Sequence, residues 1–333
     1  GELWGKSGSG GSGVVILSYG ATLDITRSPV VARVGSPFSQ SIQLQQTNLD
    51  GSINTGNFQV SVTASAGLTI NGVALTRSYT VTSTNGIADF TGLGFASNVT
   101  GPLTLSFTSD SFVGTSMTIT PSYVANHLVI NSSNATTGVL LGGEFFASNS
   151  AGISYLNTAD LHAHAVANSI SISVSGSISV SSDVNISISN RALTLRARGD
   201  MQVGNVNLLT QGELNFFSDS DGNGSGSIVT GASSIVNSRG GRIMISGGTD
   251  PNTGYAAGSQ ISQWSGVRLL GQIDSEGGDI VIRGRSGGSV TPADVVSPGW
   301  TAGVLVGQTT IDSATGRISI SAQVNSSSDT TLN

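Results

Sequence analysis

A short phrase recurs through the C-terminal two hundred residues: a turn followed by an apolar-polar-apolar triplet. It reads Asn190-Arg191-Ala192-Leu193-Thr194-Leu195, then Gln211-Gly212-Glu213-Leu214-Asn215-Phe216, then Gly240-Gly241-Arg242-Ile243-Met244-Ile245. It returns as Gly277-Gly278-Asp279-Ile280-Val281-Ile282 and Thr315-Gly316-Arg317-Ile318-Ser319-Ile320. The first apolar positions, 193, 214, 243, 280 and 318, are spaced by 21, 29, 37 and 38 residues. A basal unit of ~20 residues with growing insertions accounts for that series. The last three units share an upstream strand: Ile235-Val236-Asn237-Ser238, Ile273-Asp274-Ser275 and Ile311-Asp312-Ser313. Aligned on their isoleucines, these put Asp274 and Asp312 side by side and Val236 next in the row.

A unit of ~20 residues holds about three short strands, too few to bury their own inward side chains. Stacking the next unit ~4.8 Å along pairs every strand with a neighbour and closes a continuous apolar core. Insertions then fit only at corners, and the extra residues collect in two loops, 249–265 and 289–302. Residues 129–333 are therefore expected to form a parallel solenoid.

The rest of the pattern is strand-like too. Ser169–Ser181 places Ile170, Ile172, Val174, Ile178 and Val180 on one face and serines on the other, the period of two that a half-buried strand shows. Helix signals are nearly missing, so the chain is expected to be all-β. Residues 1–20 read as a glycine-rich leader with one strand, 14–19. Between 21 and 128, strand candidates fall at 22–26, 30–34, 40–45, 58–64, 68–70, 78–82, 87–90, 103–107 and 116–120. Turn signals separate them, among them Asp50-Gly51, Asn71-Gly72 and Asn85-Gly86. That spacing predicts an immunoglobulin-like sandwich.

Composition narrows the function classes. Thirteen basic against nineteen acidic residues give a net charge of −6, which argues against nucleic acid or an anionic membrane as partner. Cysteine is absent, which excludes disulfides, thiolate zinc sites and thiol catalysis. No run of 18 apolar residues marks a membrane helix. A start without Met or a signal peptide reads as a piece of a longer or processed chain. Weak charge (10% of residues) and 46 glycines fit an extracellular bacterial protein.

Three stretches resemble known families. Gly10–Tyr19 resembles the end of glycine-rich modules in large bacterial surface proteins and phage tail fibres. Val34-Gly35-Ser36-Pro37-Phe38, Asn85-Gly86-Ile87-Ala88-Asp89-Phe90-Thr91-Gly92-Leu93 and Leu103–Thr108 are similar to the bacterial Ig-like domains of invasin-type adhesins, where such modules are spacers. Leu214–Ile228, followed by Ser238–Gly248, resembles the filamentous-haemagglutinin-like β-helical adhesins. That resemblance covers residues 170–323 and implies a secreted right-handed parallel β-helix at the cell surface, without a catalytic site.

Few residues point to chemistry. Asp219-Ser-Asp221-Gly-Asn223-Gly224 matches the front of a calcium loop, with oxygen ligands at positions 1, 3 and 5 and glycine at 6. Position 12 is Thr230 where a bidentate Glu belongs, so an Asx-rich corner that caps backbone groups is the competing reading. Asp160-Leu-His162-Ala-His164 would place three metal ligands on one face if extended; a polar outer face is the alternative. Arg242, Asp279 and Arg317 occupy equivalent positions and would stack as ion pairs. Tyr255, Trp264 and Trp300 sit in the inserted loops, as a contact surface or as cover for a flank.

The expected role is accordingly non-enzymatic: a structural and adhesive segment of a bacterial cell-surface protein, presenting loops to a host, glycan or protein ligand. Its partners would be other modules of the same chain or neighbouring subunits, with no nucleic acid and no membrane insertion. A self-assembling filament subunit and a glycan-active enzyme are the alternatives.

Overall fold

The computed structural model describes residues 21–29, 32–64, 67–99, 101–109, 112–148, 151–182, 184–189, 191–262, 265–287 and 302–323. The leader with its expected strand at 14–19, Trp264, Trp300 and all but the last residue of 289–302 lie outside these. The protein is all-β, and the one α-helix among the described residues is Thr158–Ala165. The chain divides into two compact units, Gly1–Ser122 and Tyr123–Asn333.

The first unit holds a seven-stranded sheet. Its order is Tyr79–Thr82, Gln59–Ala64, Leu103–Ser109, Phe112–Ile119, Thr22–Arg27, Ile42–Thr47, Ile87–Phe90. All neighbours are antiparallel except Thr22–Arg27 beside Phe112–Ile119. A second, three-stranded sheet joins Val73–Ala74, Leu68–Ile70 and Leu93–Phe95. A hairpin closes on Asn71-Gly72, and a tight turn bridged by Thr84 and Ile87 closes on Asn85-Gly86. Asn71 and Gly72, and Asn85 and Gly86, all have positive φ, between 50° and 82°, as a two-residue type I′ turn requires. The Val34–Phe38 segment runs beside Gly94 and Phe95, and Phe38 meets Phe95 edge-on at 5.0 Å. Phe90 and Phe107 make a second edge contact at 5.3 Å in a core with Ile42, Leu44, Val60 and Val62.

The second unit is built from parallel ladders. The first ladder stacks Ile170–Val174, Leu193–Ala197, Leu214–Ser218, Ile243–Gly247, Ile280–Arg285 and Ile318–Gln323. Its register joins Ile170, Leu193, Leu214, Ile243, Ile280 and Ile318 in one row, and Ile172, Leu195, Phe216, Ile245, Ile282 and Ile320 in another. The five expected triplets thus align without a slip, and Ile170 adds a sixth. Both rows are buried except at Ile318 and Ile320.

A second ladder stacks Ile153–Asn157, His127–Asn131, Ile178–Val180, Met201–Val203, Ile228–Thr230, Val267–Asp274 and Val304–Asp312. A third runs from Asn185–Ile188 through Asn207–Thr210 and Ile235–Asn237 to the later halves of Val267–Asp274 and Val304–Asp312. Here the expected alignment is off by one. Val236, not Ile235, stands opposite Ile273, so Asn237 stands opposite Asp274. The reason is facial: Val236 is fully buried while Ile235 is 39% exposed. A one-residue shift would turn every side chain of the strand over.

The turns between the third and first ladders repeat closely. Ser238, Ser275 and Ser313 each donate Oγ to the carbonyl oxygen three residues on, at 2.5–2.6 Å. Thr210 bonds the carbonyl of Gly212 in the matching turn one winding earlier. Asn237, Asp274 and Asp312 each accept the N–H two residues on, at 2.7–2.9 Å. Asp274 and Asp312 therefore cap turns. Gly212, Gly241, Gly278 and Gly316 form a column in which each lies against a backbone carbonyl of the winding before it. A Cβ would come within 2.0–2.5 Å of that oxygen.

Candidate functional site

Growth of the windings is confined to one corner, between the first and second ladders. The strands there are separated by three residues (175–177), three (198–200), nine (219–227), nineteen (248–266) and eighteen (286–303). Turns between the third and first ladders hold three to five residues throughout, as at 189–192, 211–213, 238–242, 275–279 and 313–317. The Asp219–Asn223 motif and the 249–265 loop thus belong to the same corner on consecutive windings.

Arg196 ties the two loops together, and Arg285 holds the first of them to a later strand. Arg196 donates Nη2 to the Ser220 carbonyl at 3.4 Å and to the Thr249 carbonyl at 3.1 Å. Arg285 donates Nη2 to Asp219 Oδ2 at 2.8 Å, and Asp219 is fully buried. The other carboxylate oxygen of Asp219 accepts the Gly224 N–H at 2.9 Å. Asp221 and Asn223 also cap locally: Asn223 N–H donates to Asp221 Oδ1 at 3.4 Å, and Ser225 N–H to Asn223 Oδ1 at 2.8 Å. In this arrangement the loop is closed by Asx caps and an ion pair, and its most buried carboxylate already faces a guanidinium. The spacing of Asp219, Asp221 and Asn223 was legible in the sequence. Arg285 was not, because it lies 66 residues away and arrives only through stacking.

The 249–265 insertion leaves after Gly247 and returns to the first ladder at Ala256–Ala257. These residues pair with Gly284 and Arg285, and Ala257 also bridges Gly226. Tyr255 is half-buried immediately before this return. Asp250 anchors the tip, accepting the Asn252 N–H at 3.0 Å and the Thr253 hydroxyl at 2.9 Å. Those bonds hold its carboxyl below the usual aspartate range. Beneath the loops, Ser227 Oγ donates to Asp200 Oδ1 at 2.9 Å and meets Ser259 Oγ at 2.9 Å.

Two expectations are corrected. Asp160, His162 and His164 lie on the helix Thr158–Ala165 rather than on a strand. Residues two apart on a helix diverge by about 200°, so the three do not share a face, and no metal-capable cluster occurs among the described residues. The helix signal was present: Asn157 accepts the Ala159 N–H as an N-cap, and Thr158, Leu161 and Ala165 form the buried stripe. The Arg242-Asp279-Arg317 ladder of ion pairs is not formed. Asp279 accepts the backbone N–H of Arg317 at 2.8 Å. The ion pairs among the described residues are Arg27–Asp89 and Arg285–Asp219.

His162 has a structural task instead. Its Nε2 accepts the N–H of Ser187 at 3.0 Å, on the first strand of the third ladder. The helix thus covers an edge that has no preceding strand. Burial lowers the imidazole pKa, and accepting at Nε2 requires the neutral ring. Between the ordinary histidine value of 6.5 and the lowered native one, the unfolded chain binds the extra proton. Stability is therefore full above pH 6.5 and falls as the pH drops through that window. Urea melts at pH 7.5 and 5 should show a lower midpoint at pH 5. His162→Gln, which keeps an acceptor without the proton, should narrow the difference.

No protein-family model matches the sequence, and no curated protein matches it significantly. No helix among the described residues is long and apolar enough to cross a membrane.

Proposed function

We propose that this chain is a structural and adhesive segment of a secreted bacterial surface protein. In this reading the first unit is an Ig-like spacer and the second a parallel β-helix. The widened corner of the β-helix is the surface that meets a glycan or protein. One observation supports it above the rest: every large insertion falls on the same corner of an otherwise constant ladder. A scaffold that lengthens only there displays its loops side by side on one edge, as a contact surface needs. The net charge of −6 and the absence of cysteine accord with an extracellular setting. A glycan-active enzyme needs paired carboxylates; the neighbouring pair here, Asp274 and Asp312, each accepts a backbone N–H in a turn.

The test is retention of the purified chain on a panel of immobilised polysaccharides and extracellular proteins, with reducing ends assayed in parallel. Binding without release of reducing ends is expected. Tyr255→Ala should weaken it by about tenfold, equivalent to ~1.4 kcal/mol, without a change in the melting curve. Release of reducing ends that disappears in Asp274→Ala would replace this reading with an enzymatic one.

A further inference from the structure

The glycine column at the turns between the third and first ladders has one exception. Gly212, Gly241, Gly278 and Gly316 each stand two residues before the first apolar residue of a triplet. Each would drive a Cβ into the winding before it. One winding earlier, the same place in the phrase is Arg191. Its turn follows Asn185–Ile188, the first strand of the third ladder. Among the described residues that strand has a ladder neighbour on one side only, Asn207–Thr210. On its other side stands the helix Thr158–Ala165, which meets it through the His162–Ser187 bond.

The helix does not fill the place of a winding, and a groove of about 480 Å³ is left. His162 and Val166 border it from the helix, and Ser187, Ser189 and Arg191 from the strand and its turn. Arg191 is exposed and belongs to neither ion pair formed among the described residues. Its guanidinium and the hydroxyls of Ser187 and Ser189, both exposed, make no hydrogen bond among those residues. His162 Nε2 accepts the Ser187 N–H, so the ring proton sits on Nδ1. Val166, 81% exposed, supplies an apolar edge. No carboxylate is among the residues that border the groove, although the chain as a whole carries a net charge of −6.

A guanidinium grips a carboxylate through two parallel hydrogen bonds. A serine hydroxyl both donates and accepts, as a sugar hydroxyl does. We propose that this groove binds a carboxylate-bearing sugar, a uronate unit of an acidic glycan. Arg191 pairs with the carboxylate, Ser187 and Ser189 meet the ring hydroxyls, and the carbon face of the ring lies against Val166. An acidic peptide would satisfy Arg191 but leave the two serine hydroxyls unmatched. None of these residues belongs to the widened corner, so this site and the adhesive reading can fail separately.

The test is calorimetric titration of the whole chain with trigalacturonate. Saturable binding is expected, and the methyl ester, which has the same sugars without the charges, should bind more weakly by about tenfold or more. Arg191→Gln should lose as much, with the melting curve unchanged because the side chain is exposed and unpaired. Arg317→Gln, at the turn four windings on, should bind as the parent does. Ser187→Ala with Ser189→Ala keeps the charge and should weaken trigalacturonate without affecting triglutamate. Absence of saturable binding, equal binding of the methyl ester, or equal loss from the two arginine variants overturns the proposal. Triglutamate bound as tightly as trigalacturonate overturns it in favour of an acidic peptide.

Discussion

Arg285→Met is expected to lower the stability of the second unit by about 3 kcal/mol, measured as a shift in the urea midpoint at constant slope. The substitution keeps most of the packing volume but leaves Asp219 fully buried without its cation. Breaking a buried pair from one side costs ~3–5 kcal/mol. Arg285 is itself 30% exposed, and Asp219 keeps the Gly224 N–H, which places the loss at the lower end. Asp219→Asn in the Arg285→Met background should recover part of it, because the buried charge is then gone. A cycle with no coupling between the two positions would show that the bridge plays no part in holding the corner.

Gly278→Val should cost about as much for a different reason. Its Cβ would lie 2.0 Å from the carbonyl oxygen of Gly241 and 2.4 Å from the carbonyl carbon. Both are backbone atoms of the preceding winding, so relief requires the ladder itself to move. Overpacking of a close-fitted interior costs ~1–3 kcal/mol, and more where backbone must shift. Gly240→Ala is the matched control: φ is 100° but a Cβ there meets nothing within 4 Å. The control should show only the cost of an unfavourable dihedral, ~1–2 kcal/mol. Equal effects at the two positions would mean that winding-to-winding contact is not what selects glycine at 278.

These two sites show what could and could not be read from the residues alone. The triplet rows were legible because burial of alternate residues imposes a period that survives any insertion. Leu193, Leu214, Ile243, Ile280 and Ile318 aligned as the spacing required. The third ladder was harder. Ile235 and Val236 are both apolar, so composition did not say which faced inward; the neighbouring windings decide that. The helix at 158–165 was overlooked because eight residues with an apolar stripe of three look like strand when strands surround them. The corner was half legible. Asp219, Asp221 and Asn223 announced a loop rich in side-chain oxygens, but its cation is a guanidinium delivered from two windings away. Pairings of that kind depend on stacking distance, which linear spacing does not encode.

The corner that widens also sets what the second unit can tolerate. Separations there run from three residues to nineteen, while the strands on either side keep their register. For a flexible loop, each doubling of length costs only ~0.6 kcal/mol of closure entropy. A foreign peptide spliced between Asp250 and Thr253, at the tip of the longest described excursion, should leave the stacked strands undisturbed. The same peptide placed in the turn at 275–279 would have to displace the Gly241–Gly278 contact and should prevent assembly of the winding. One edge of this unit is in effect an insertion port, and the other edges are fixed.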